Sequence, residues 1–330
     1  MNGPLTRNCR CGPLFWGMVI VLLIGAALPF FVSSTSFVLM LASYALIAGL
    51  VALSLDMLMG NTGLISFGHA AWYGLGAYRG GITAKCISTE IVAIILAAIA
   101  GAALLSAIIG FILVRKIGKA FAILTLAFSQ IVYAIIFLAP AYTGGEDGLQ
   151  GVPPPTIFGT AIVDFAVWYW LLFGTAVVSI ALALYLRRSP LGQAWLAIKE
   201  NQERARFIGI NVYQLKLISY VISASFAAWA GALFVLFSGG VAPDMLHWFE
   251  SGKIMMYVIL GGVGTFVGPV IGAIVFTFVQ NFVSSLTDAW LIYFGGFIVL
   301  MVIFAPGGIY GVAAAITRRV QGYMMNRRTS

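Results

Sequence analysis

Ser66, His69 and Asp56 are the residue types of a hydrolytic triad, in which a hydroxyl nucleophile needs a histidine base oriented by a carboxylate. Their spacing argues against that use. Ser66 and His69 are close in sequence, but no carboxylate stands beside them, and Asp56 lies roughly three helical turns earlier. All three read as structural residues. The other histidine is His247, and two histidines cannot assemble a multi-His metal site. No Gly-x4-Gly-Lys-Ser/Thr phosphate loop is present, and Gly110 to Lys119 has glycines and lysines at the wrong spacing. Three cysteines are too few for a disulfide framework. Cys9 and Cys11 lack a second pair or a nearby histidine and read as part of an inert tail. The expectation is no catalytic residue, no metal and no cofactor on this chain.

The chemistry that remains is that of a pathway and a docking surface. Two glycine-rich runs lie in apolar sequence, one in each half: Gly60 to Gly68, continuing to Gly76, and Gly261 to Pro269, continuing to Gly272. Interrupted helices in two halves of a chain are how many transporters build their path, and Pro269 cannot donate to a helix ladder. The candidate path residues are Asn61, Ser66, His69, Gly261, Gly262, Gly264, Gly268 and Pro269, with Gly76 and Gly272 assigned to helix packing. Asp56, the main ionisable group at membrane depth, is expected to pair locally or to lie near the inner interface. Arg79 and Lys85 are expected to snorkel outward.

A second feature is the charged stretch from Arg187 to Asn211. Pro190 after Ser189 suits a first helical turn, and Gly209 suits its end. Leu191, Trp195, Ile198 and Ala205 would share one face, leaving Lys199, Glu200, Glu203, Arg204 and Arg206 to water or a partner. A pair between Lys199 and Glu203 is also open to it. The third is the Gly- and Pro-rich loop from Tyr142 to Asp164, where Glu146 and Asp147 form a candidate outer docking rim or are simply solvated.

The elements that must position these groups follow from composition. Hydrophobic residues make up 62% and charged residues 8% of the 330 positions, against about 25% charged in soluble domains. The solvent for most of this chain is a lipid bilayer. The fold class is an all-α, polytopic, inner-membrane helical bundle of about ten helical segments, eight as the fallback, with broken or re-entrant helices. Spans are placed near 14–32, 37–58, 66–84, 91–114, 120–140, 167–186, 214–237, 254–264, 267–286 and 289–305, the 254–264 segment being too short to cross ~30 Å. The net charge of +8 is clustered at Arg7 and Arg10, Arg115 to Lys119, Arg187 to Lys216 and Arg318 to Arg328. The positive-inside rule puts these clusters, and both termini, in the cytoplasm. Glu146, Asp147, Asp164, Asp244 and Glu250 then fall in outer loops. No basic face interleaved with aromatics exists to bind nucleic acid. The chain divides into a cytoplasmic tail (1–13), a transmembrane domain (14–305, with the charged loop at 187–213) and a basic cytoplasmic tail (306–330).

Four segments in order bear a family resemblance: Gly60-Asn61-Thr62-Gly63-Leu64-Ile65-Ser66-Phe67-Gly68-His69-Ala70-Ala71, Thr143 to Leu149, Ala197 to Asn211, and Leu260 to Ala273. The chain resembles, over nearly its full length, the permease subunits of branched-chain amino-acid ABC importers, and looks closer to the second of the two permease types that pair there. The resemblance implies a second homologous permease, two cytoplasmic ATPase subunits that use the ATP, and a periplasmic or extracytoplasmic solute-binding protein. It matches Glu203, Ala205 and Gly209 to a Glu-Ala-Ala…Gly motif seated on the ATPase, with Arg206 in place of the second Ala and Asp56 in place of an expected amide. Branched-chain amino acids are the implied cargo, with urea, short amides and small carboxylates as alternatives. From the residues alone, an ion-coupled carrier and a membrane anchor stay open.

Overall fold

The structure is a computed structural model that describes residues 37–116, 118–287 and 307–311, together with positions 25, 29, 289, 292, 293, 295, 296 and 299. The expected spans at 14–32 and 289–305 and both tails fall wholly or largely outside these residues.

The order of elements is α1 (Phe37–Thr62), α2 (His69–Cys86), α3 (Ile91–Leu113), α4 (Lys119–Phe137), a short α5 (Pro140–Thr143), a 3-10 turn (Gly145–Asp147), β1 (Leu149–Gln150), β2 (Thr156–Ile157), β3 (Thr160–Ala161), α6 (Phe165–Arg188), α7 (Pro190–Glu200), α8 (Gln202–Phe207), α9 (Val212–Ser238), β4 (Gly240–Val241), a 3-10 turn (Pro243–Leu246), α10 (Trp248–Gly261) and α11 (Val267–Ser284). Six of these helices, α1, α3, α4, α6, α9 and α11, are long and apolar enough to cross a membrane. The expected all-α, polytopic bundle with interrupted helices is what is seen.

Side-chain contacts show how the helices alternate in direction. Tyr213, at the start of α9, donates to the Phe111 carbonyl at the end of α3 at 2.7 Å. Residues 240–241, after α9, pair antiparallel with 149–150, and Lys85, at the end of α2, donates to the Gln150 carbonyl. One end of the bundle therefore carries α7 and α8, and the other carries β1 and β4.

At the centre, α2 crosses α9 with small residues on both sides. A Cβ added to Gly76 would stand 2.3 Å from the Ala228 Cα, and one added to Gly231 would stand 1.9 Å from the Tyr73 carbonyl oxygen. Without a hydrophobic drive between helices in lipid, such backbone approach supplies the packing. The Trp72 indole donates to the Tyr220 hydroxyl at 3.0 Å across the same crossing. By contrast α3 buries one stripe, Ile91, Ile94, Ala98, Ala102, Ser106, Gly110 and Leu113, at the 3-and-4 spacing of a helix. Its opposite face exposes Val92, Leu96, Leu104 and Ile108. That face is suited to lipid or to another subunit.

Candidate functional site

Both glycine runs interrupt helices. After Thr62 the chain leaves α1, with Gly63 at φ 73°, and resumes at His69; after Gly261 it leaves α10 and resumes at Val267. With 14 residues, α10 is about 21 Å long, too short for a full crossing. Within the second break Gly262 and Gly264 take φ 110° and 80°, and Phe266, a non-glycine, takes φ 63°. The hydroxyl of Thr265 donates to the Gly262 carbonyl at 2.7 Å and accepts from the Gly268 N–H at 3.1 Å, closing the turn onto α11.

The two breaks meet. A Cβ on Gly60 would lie 2.7 Å from the Gly264 Cα, so only glycine permits this contact. Asp56, one turn back on α1 and fully buried, accepts from the Gly264 N–H at 2.6 Å and the Phe266 N–H at 3.1 Å. Its carboxylate thus holds the strained loop, 208 residues away in sequence. Two cations of the charged segment close the joint from outside. Arg187, at the end of α6, donates to the Gly264 carbonyl at 2.7 Å and lies 5.1 Å over the Phe266 ring. Lys199, in the last turn of α7, donates to the Gly60 carbonyl at 2.8 Å. One carboxylate and two cations therefore bind both glycine breaks to the segment at 187–213.

That segment departs from the single helix expected. Ser189 caps α7, accepting from the Gly192 N–H, with Pro190 in the first turn. Asn201 is extended (φ −158°, ψ 108°), ends α7 and caps α8 by accepting from the Arg204 N–H at 2.9 Å. This break removes the i,i+4 geometry on which a Lys199–Glu203 pair depended. Leu191 is exposed; Gly192 meets the preceding helix instead, where a Cβ would stand 2.3 Å from the Arg187 carbonyl oxygen. Trp195, Ile198 and Ala205 are buried as expected, and the Trp195 indole donates to the Leu215 carbonyl at 2.8 Å. Ala205 therefore seats the helix and offers nothing to a partner. Glu200, Glu203, Arg204, Arg206 and Gly209 are exposed, joined by two residues missed in the sequence, Phe207 at 90% and Ile208 at 74% exposure. Large apolar tips beside charged residues were the available signal.

The remaining candidates separate. Ser66 accepts from the Gly68 N–H within the first break. His69 turns elsewhere: its Nε2 is 2.7 Å from the Ser54 hydroxyl, which donates to the Val51 carbonyl at 2.6 Å, so Nε2–H is the donor. Ser54, Ser66, His69 and Asp56 thus serve three different joints. Asn61 is buried, and its amide has no hydrogen-bond partner among the described residues. Gly261 and Gly268 lie backbone to backbone, Pro269 is buried in the first turn of α11, and Gly272 packs on the α10 backbone. Glu146 and Asp147 are exposed at the β1 end. Arg79 and Lys85 are also exposed.

Glu250 corrects an expectation. It stands in the first turn of α10, inside the bundle depth, where an outer loop was expected. Its neighbour Ser251 accepts from the Ala70 N–H at 3.0 Å, next to His69 and hence Ser54. Ser54 precedes Thr62 by eight residues, about 12 Å along α1. The loop after β4 dips inward to reach this level, as the Ser129 hydroxyl's bond to the Leu246 carbonyl at 2.8 Å also records.

Residues 37–306 match the family described as branched-chain amino acid transport system / permease component. The chain belongs to this permease family. It is similar to the high-affinity branched-chain amino acid transport system permease protein LivM of Escherichia coli K12, with 29% identity covering 88% of this chain and 74% of that one. BraD of Pseudomonas aeruginosa is 26% identical over 79% of this chain and 91% of its own, and LivH of E. coli K12 is 24% identical over 79% and 90%. No solved structure gives a significant match. Family and helices together make this a multi-pass membrane permease, of a kind whose relatives are components of multi-subunit transport systems. An ion-coupled carrier built on Asp56 is not favoured, since that carboxylate is already committed to two backbone N–H groups.

Proposed function

We propose that this chain is one of two permeases of an ABC importer for branched-chain amino acids, powered by ATPase subunits seated on α7 and α8. The single observation that carries the reading is the junction of Arg187 and Lys199 with the Gly264 and Gly60 carbonyls. A push on the docking helices reaches both helix breaks through two charge-assisted bonds, the stronger class of hydrogen bond. The basic end faces the cytoplasm by the positive-inside rule. Glu203, Arg204, Phe207 and Ile208 present the surface for the ATPase, and Glu146 and Asp147 the rim for a solute-binding protein. Closure of the ATPase dimer on ATP favours one arrangement of the joint and nucleotide release the other, because the two arrangements differ in affinity for nucleotide and for the binding protein. This chain supplies the gated path, and its partners supply hydrolysis. Greater identity to LivM than to LivH supports the LivM-like place in the pair.

The test is reconstitution of the chain with a sister permease, ATPases and binding protein in liposomes. Leucine, isoleucine or valine should enter only with ATP. Uptake without nucleotide, driven by an ion gradient, would overturn the proposal.

A further inference from the structure

A cleft of about 360 Å³ opens between α1, α2, α9, the Pro243–Leu246 turn, α10 and α11. Its size falls within the usual range for small-molecule sites, about 300–1,000 Å³. Its walls divide by chemistry. Val51, Phe234, Met245 and Ile254 are apolar, whereas Asp244, Glu250 and Lys253 bring both signs of charge. Glu250 and Lys253 pair at 2.8 Å, with side chains 28% and 19% exposed, at the depth already fixed by Ser251. Charges held at membrane depth are costly and face one another or a watered path; this pair does both. The α1 side of the cleft is the stripe Tyr44, Ala48 and Val51. Continuing its helical spacing toward the coupling end come Leu55 and Leu58, each fully buried. The cleft therefore closes before it reaches Gly60.

The geometry points to this cleft as a cargo subsite in the permease itself, one that takes an α-amino acid as its zwitterion. Lys253 receives the carboxylate, Glu250 receives the ammonium, and the apolar wall receives an aliphatic side chain. Entry of the zwitterion replaces the Glu250–Lys253 pair with two charge-assisted contacts, so neither member of that pair is left unpaired, while Asp244, which is exposed, keeps its water. Ligands bearing a single charge cannot make this exchange and are refused. Selection for amino acids is thus made a second time within the membrane, downstream of any binding protein. The inference rests on the importer reading for its cargo.

The experiment uses the full complex in liposomes, with Cys9, Cys11 and Cys86 replaced by Ser and Ala48→Cys introduced, and a membrane-impermeant maleimide applied from outside. L-Leucine should slow labelling at position 48, and 3-methylbutylamine and 4-methylpentanoate, each lacking one charge, should not. Lys253→Ala should raise the half-protecting leucine concentration at least about tenfold, as loss of a charged hydrogen bond implies, and Lys253→Arg should restore most of it. Unchanged labelling in a complex that imports leucine overturns the subsite and spares the importer reading. Equal protection by either single-charge analogue also overturns it. Leucine protection in a complex that fails to import with ATP upholds the subsite and overturns the importer reading.

Discussion

Asp56 shows how one side chain can decide a joint. Its two oxygens satisfy the N–H groups of Gly264 and Phe266 in a loop whose backbone is otherwise strained. Asp56→Ala leaves both donors without a partner at about 1–3 kcal/mol for a buried unsatisfied group. The variant should show a lowered thermal midpoint in detergent, and a midpoint equal to wild type would contradict this role. Gly60 and Gly174 make a controlled pair. Gly60→Ala drives a Cβ into the Gly264 backbone, whereas Gly174→Ala, in mid-helix with nothing among the described residues within 4 Å, gains helix propensity of about 0.5–1 kcal/mol. Import should be abolished or nearly so in the first and unaffected in the second. The glycines, Asp56 and Lys199 were visible in the sequence as types. Their convergence was not, because Asp56 and Gly264 are 208 residues apart and spacing says nothing about contacts at that separation.

Among the elements, the spans were legible because lipid imposes a length and a composition. The helices at 37–62, 91–113, 119–137, 165–188, 212–238 and 267–284 lie within a few residues of the expected bounds. Segment 66–84 was less well read. Its helix starts at His69, since residues 63–68 form the break itself. The single helix expected over 187–211 failed where a local hydrogen bond competed with helix continuation: Asn201 prefers to cap α8, as asparagine often does. Asn201→Ala should cost about 1 kcal/mol of local stability and raise amide exchange in 202–207. Exchange unchanged from wild type would mean that Ala205 and the Lys216–Gln202 bond hold α8 without the cap. Glu250 was misplaced for a related reason: an inward-dipping turn and an outer loop share the same Pro- and Asp-containing composition.

Over the whole molecule, α7 and α8, the joined glycine breaks and the cleft lie in that order from one end of the bundle toward the other. Motion at α7 has a covalent and hydrogen-bonded route to α1 and to the loop between α10 and α11, and α1, α10 and α11 all wall the cleft. The exposed stripe of α3 leaves an apolar surface for lipid or the sister permease. In the proposed importer, Lys199 and its Gly60 bond carry work from ATPase to path. The most direct measurement is the number of leucine molecules imported per ATP hydrolysed by the reconstituted complex carrying Lys199→Met. Binding-protein-stimulated hydrolysis should persist while import per ATP falls at least about tenfold, the equivalent of about 1.4 kcal/mol. An import-to-hydrolysis ratio equal to that of the wild type would contradict it.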